Sequence, residues 1–200
     1  MGILTVLFNR QVLALLGENA LAVYGVIINV STMIQCCAYS FGQAAQPIIS
    51  ANYGAGQGKR IRDTLRYALE TVAVFSLVLT GVCMAAPNLF VRIFMKPTAE
   101  VLQMAPAIIR TYALSFLLLP LNVFSTYYFQ SLMRPGTAFL VSVARGAVLS
   151  GVLIYLLPAI FAADMIWYAM PIAELAVACY AGVKMKAYTK RLPTEGAVQV

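Results

Sequence analysis

Arg145 and Glu174 are charged side chains set deep in apolar sequence. Arg145 follows Pro135 by ten residues, and Glu174 follows Asp164 by ten. At a helical rise of about 1.5 Å per residue, each charge stands about 15 Å from the nearer end of its segment. The two segments are consecutive and joined by a short turn, so the side chains can meet near mid-depth, directly or through one water. Two roles fit such a pair: a structural ion pair that avoids an orphaned charge, and a centre where a cation exchanges against the carboxylate.

An amide series offers a second kind of chemistry. Asn29, Gln35, Gln43 and Gln46 recur along one apolar segment, and the three glutamines lie within helical reach of one another. They suit the lining of a polar cavity; hydrogen bonding between packed helices is the alternative. Downstream, "GQAAQPIISANYGAGQGKRIRD" breaks an apolar run into Gln46, Pro47, Asn52, Gly54 and Gly56, then turns basic. A phosphate loop needs four residues between its glycines before Gly-Lys-Ser/Thr. Gly54 and Gly58 are separated by three, and Arg60 stands where the hydroxyl should be. The same residues suit a helix leaving a membrane: Pro47 near its end, Asn52 and the glycines for the turn, then Lys59, Arg60 and Arg62 at headgroup level. Asp63, one turn before Arg66, is placed for local pairing.

Enzyme chemistry finds little support. There is no histidine, which removes His-based triads and His-ligated metals. Cys36, Cys37, Cys83 and Cys179 lie in apolar stretches without metal-ligand spacing and read as small packing residues. No catalytic residue, resident metal or cofactor is expected.

The elements that must position these residues follow from composition. The chain of 200 residues is 62% hydrophobic and 10% charged, with a mean hydropathy of +0.83. Soluble domains carry roughly a quarter charged residues, so a lipid bilayer is the expected solvent. Several stretches reach the roughly 20 apolar residues needed to span it. The net charge of +7 then needs no nucleic-acid partner. The opening "MGILTVLFNRQVLALLG" lacks the basic start of a signal peptide, and Arg10 interrupts it.

Six segments are predicted. They are Ile3–Leu16; Ala20–Ser50; from near Arg62 to Pro87; about Glu100 to Gln130, with Pro106 and Pro120 inside; from "MRPG" to near Pro158; and from about Asp164, through Pro171, into "KMKAYTKR". Trp167, Tyr168 and Tyr155 fall near segment ends, as interfacial aromatics do. Cations gather at the second-to-third connection (Lys59, Arg60, Arg62, Arg66), at Arg134, and at the C-terminus (Lys184, Lys186, Lys190, Arg191). The other side has only Arg92 and Lys96. That asymmetry predicts a multi-pass protein with its C-terminus in the cytoplasm. One segment is short: Ile3–Leu16 covers about 21 Å against a hydrocarbon core of about 30 Å. The expectation is an all-α transmembrane bundle over residues 1–191, five full helices plus a truncated first one, and a short cytoplasmic tail over 192–200.

The motifs carry a family resemblance. "ALAVYGVIINV" followed by "GQAAQPIISANYGAGQGKRIRDTLRYAL" resembles the multidrug and toxic compound extrusion (MATE) family, where a similar run closes the second helix of the C-terminal six-helix half. "FQSLMRPG", "SVARGAVL" and "IWYAMPIAE" follow in the order of that half, so the likeness covers Phe8 to about Arg191. It implies half of a secondary exporter of amphipathic, often cationic, organic compounds in a bacterial plasma membrane, with H+ or Na+ as the driving ion. It also implies a missing N-terminal six-helix half or a second copy as partner, because such proteins rock one repeat against the other. The sodium-coupled branch has a carboxylate at about the position of Asn122, two residues beyond Pro120. The amide here can coordinate through oxygen but cannot carry a proton, a departure that weighs against sodium coupling through this half. An exporter of lipid-linked sugars from the same superfamily, and a non-transporting membrane scaffold, are the alternative readings.

Overall fold

Gly17 turns the first helix back on itself. The computed structural model describes residues 2–193, and helix α1 runs Gly2–Gly54 with one non-helical residue inside, Gly17, at φ 81° and ψ −173°. A straight helix would separate Phe8 and Tyr24 by about 24 Å. Their rings instead stack at 4.3 Å between centroids. α1 is therefore a hairpin of two limbs, a short one ending at Gly17 and a long one of about 55 Å continuing to Gly54. That φ/ψ combination is open almost solely to glycine.

The remaining elements are α2 (Gly58–Ala85), α3 (Pro87–Phe94), α4 (Ala99–Ala113), α5 (Leu119–Ser131), α6 (Pro135–Val143), α7 (Leu149–Ile160) and α8 (Ala169–Lys190). α4 and α5 form one crossing broken by a 3₁₀ turn at Leu114–Leu117. The break has a local cause: Pro120 has no N–H to give the Phe116 carbonyl one turn earlier. α6 and α7 form another crossing, joined through a π-helical turn at Ala144–Val148. A 3₁₀ turn at Ala163–Tyr168 leads into α8. Among the described residues, five helices are long and apolar enough to cross a membrane: Leu4–Gly54, Gly58–Ala85, Ala99–Ser131, Pro135–Ile160 and Ala163–Lys190.

The connections sort to two ends. Gly54–Gly56, Leu132, Arg134 and the Arg191–Pro193 segment gather at one, which carries most of the cations. At the other, Asn19 of the α1 turn donates to Glu100 at 2.7 Å, and Thr98 caps α4 by accepting from the Val101 N–H. Arg110 donates to the Met84 carbonyl at 3.0 Å, satisfying an end carbonyl of α2. α5 packs most extensively on α1, and there the chains approach so closely that a Cβ on Gly42 would collide with the Tyr127 ring.

Several expectations are corrected. The second segment continues to Gly54 rather than Ser50, and the third starts at Gly58 rather than near Arg62. Pro47 is accommodated inside the helix. Arg66 pairs with Glu70 at 2.9 Å, not with Asp63; both acids lie one turn from it, and the Glu stands on the C-terminal side. Trp167 is no interfacial belt residue: it is buried against Phe8 and Tyr24, whereas Tyr155 and Tyr168 are exposed. α3 is an addition to the six expected segments, since its eight residues are too few to span a bilayer. Leu192, assigned to the tail, joins the core, and Pro193 beside it is half-buried; the remaining residues of the expected tail, 194–200, lie outside the described residues.

Candidate functional site

The core divides into two apolar clusters with a polar seam between them. One cluster surrounds Phe8, Tyr24, Val101, Tyr112, Leu119 and Trp167; the other, nearer the basic end, surrounds Ile61, Phe124, Tyr128, Val141, Val177 and Met185. On α5, Asn122 falls between Leu119 of the first and Phe124 of the second. On α8, Glu174 falls between Met170 and Val177. Both polar side chains have no exposure.

Glu174 is held on both carboxylate oxygens. Arg145 Nη1 donates to Oε1 at 3.4 Å, and Asn122 Nδ2 donates to Oε2 at 2.6 Å. The same Nδ2 also donates to the Glu174 backbone carbonyl at 2.8 Å. Two acceptors around one amide end fix its orientation, since an oxygen there would face oxygen twice. Asn122 Oδ1 is consequently a buried acceptor with no donor. Such an atom costs about 1–3 kcal/mol of lost solvation.

The π-helical turn carries Arg145 to this position. One extra residue in the turn alters the direction of the side chains it contains relative to a regular helix. Ser150 stabilises the turn by donating to the Arg145 carbonyl at 2.7 Å. The Arg145 side chain is 16% exposed, against none for Glu174. The pair is thus buried on the acid side and open on the guanidinium side.

The opening is a cleft of about 370 Å³. Both limbs of α1 contribute to its wall through Thr5, Tyr24 and Gln35; α5 contributes Thr126 and Gln130, and Arg145 and Glu174 lie in its lining. Gln35 is therefore at the cleft. Gln43 is exposed on the outside of α1, and Gln46 lies about 16 Å farther along the helix than Gln35, outside the cleft wall. The three glutamines do not form one lining. Asn29 is exposed. Of the turn motif, Gly54 and Gly56 belong to the basic-end turn, where Gly56 has φ 67°. Asn52 Nδ2 donates to the Ile48 carbonyl one turn back, at 2.7 Å.

The Asn122–Glu174 hydrogen bonds were not expected. Their sequence signal is faint: each residue follows shortly after a helix-breaking proline, Pro120 or Pro171. Chemically, the seam holds one carboxylate against one guanidinium, with the cleft reaching Arg145 and Glu174 while Asn122 stays behind its wall. Among the described residues no three His, Cys, Asp or Glu side chains gather as metal ligands.

The MatE family profile matches residues 3–156. An outward-facing multidrug resistance MATE family transporter of the MOP superfamily superposes with a TM-score of 0.86 at 15% identity, covering 96% of this chain and 43% of that one. A MATE structure in complex with MaL6 gives 0.85 at 15% identity, with 96% and 44% covered. A MOP superfamily transporter from Pyrococcus furiosus, described as having a binding pocket of reversed polarity, gives 0.84 at 15%, with 96% and 43% covered. The chain spans less than half the length of these structures, and at such identities the likeness is one of fold. No curated protein matches the sequence.

Proposed function

Because the chain belongs to the MatE family, we propose that it is one lobe of an ion-driven membrane exporter of amphipathic or cationic organic compounds. The observation that carries this reading is the Arg145–Glu174–Asn122 cluster, a buried carboxylate with a partly exposed cationic partner at the edge of a cleft. In the proposed cycle an organic cation entering the cleft competes with Arg145 for Glu174. Uptake of a driving ion at the same carboxylate, H+ or Na+, releases the compound. A second lobe, either a preceding six-helix half or another copy, supplies the opposite wall, and the two rock about the site.

Binding tests the lobe without requiring transport. Ethidium, a fluorescent organic cation, is titrated onto the detergent-purified chain and followed by fluorescence polarisation. Glu174→Gln is expected to weaken binding roughly tenfold or more, as for loss of a charge-assisted contact. Equal affinity in the wild type and Glu174→Gln would overturn the reading. Gradient-driven dye movement in proteoliposomes is expected only when a second lobe is reconstituted with this one.

A further inference from the structure

A second cavity, separate from the cleft, lies between α2, α5 and α8 at the basic end. Its volume is about 550 Å³, and its floor is apolar, built from Leu65, Leu69, Leu121, Ala181 and Met185. Three cations line the same groove: Arg62, Lys186 and Lys190. The order along the helices separates the two chemistries. Arg62 lies close to the start of α2, and Lys186 and Lys190 close to the end of α8; Leu69 and Ala181 lie farther from the basic end on the same helices. Among the described residues none of the three cations has a carboxylate within ion-pair distance. The groove is open beside Gly182, where a Cβ would meet nothing within 4 Å.

The dimensions suit one class of molecule. Leu69 stands eleven residues from the start of α2, so the floor reaches about 16 Å from the basic end. That is about half of a hydrocarbon core of about 30 Å, the depth of one leaflet. We propose that the groove holds one anionic phospholipid of the leaflet at the basic end, its phosphate against Arg62, Lys186 and Lys190 and an acyl chain along the leucine floor. A zwitterionic lipid would fill the floor equally well but would gain less from three unpaired cations. The assignment rests on α2 and α8 crossing a membrane, and not on transport.

Native mass spectrometry of the full chain in dodecyl maltoside tests it, with dioleoylphosphatidylglycerol or dioleoylphosphatidylcholine added at equal concentration. The wild type is expected to retain dioleoylphosphatidylglycerol roughly a hundredfold better. Arg62→Gln/Lys186→Gln/Lys190→Gln is expected to bring the two lipids to parity, a loss of roughly fivefold for each cation removed. Gly182→Trp, which fills the groove from an unobstructed position, is expected to reduce retention of both lipids with helix content unchanged. Arg10→Gln/Arg92→Gln/Lys96→Gln removes as many cations elsewhere and is expected to change retention less than twofold. Equal retention of the two lipids by the wild type, or an equal loss in both triple variants, would overturn the proposal. So would unchanged retention by Gly182→Trp.

Discussion

Glu174 and Arg145 are unequal partners, and mutations should show it. Glu174 has no exposure, whereas Arg145 reaches the cleft and water. Arg145→Met leaves a buried carboxylate without its counter-charge, and an orphaned buried charge costs about 3–5 kcal/mol. Glu174→Met leaves a guanidinium that the cleft can hydrate, so its cost should be smaller. The double variant should recover most of the loss, since an apolar pair of similar size needs no counter-charge. Unfolding in mixed micelles can be followed through the sole tryptophan, Trp167, which is buried. The expected order of stability is wild type close to the double variant, then Glu174→Met, then Arg145→Met. Asn122→Leu removes two hydrogen bonds to Glu174, and a loss of about 2–4 kcal/mol is expected by the same measurement.

Two local elements can each be tested by changing one residue. Gly17 makes the α1 hairpin, and Gly17→Ala forces a side chain into a conformation costing about 1–3 kcal/mol. Because Phe8 and Tyr24 both pack near Trp167, loosening the hairpin should shift the tryptophan emission to the red. The π-helical turn is the other case. Deleting Gly146 returns Ala144–Val148 toward a regular helix and should rotate Arg145 away from Glu174. Ethidium binding should then fall while helix content by circular dichroism stays constant.

These elements also mark what the sequence made legible. The six segments, their turns at Gly17 and Gly54–Gly56, and the meeting of Arg145 with Glu174 follow from apolar length, punctuation and ten-residue spacings. The π-helical turn does not, because nothing in "ARGAV" distinguishes one hydrogen-bond offset from another. The partnership of Asn122 with Glu174 depends on how α5 packs against α8, which no local pattern encodes. Reach along one helix groups the glutamines, but long-range packing puts Gln35 at the cleft and leaves Gln43 outside. Trp167 differs from expectation for the same reason: position near a segment end says nothing of which face turns inward.

As a whole, the molecule is built outward from a polar seam. Two apolar clusters sandwich Asn122, Glu174 and Arg145, and the outside presents Val74, Leu77, Val152, Leu175 and Val183 to its surroundings. Water would expose that apolar surface at a cost of about 25 cal/mol per Å²; hydrocarbon would not. The cations gathered at one end suit the headgroup level of such a bilayer. The central claim is that the seam stands near the middle of a bilayer. Spin labels at Leu175, beside Glu174 on α8, and at Lys190, at its basic end, test it by power saturation of the reconstituted chain. The account predicts that the label at 175 is accessible to oxygen and shielded from a water-soluble nickel chelate, with the reverse at 190. Equal access of the chelate to both positions would contradict it.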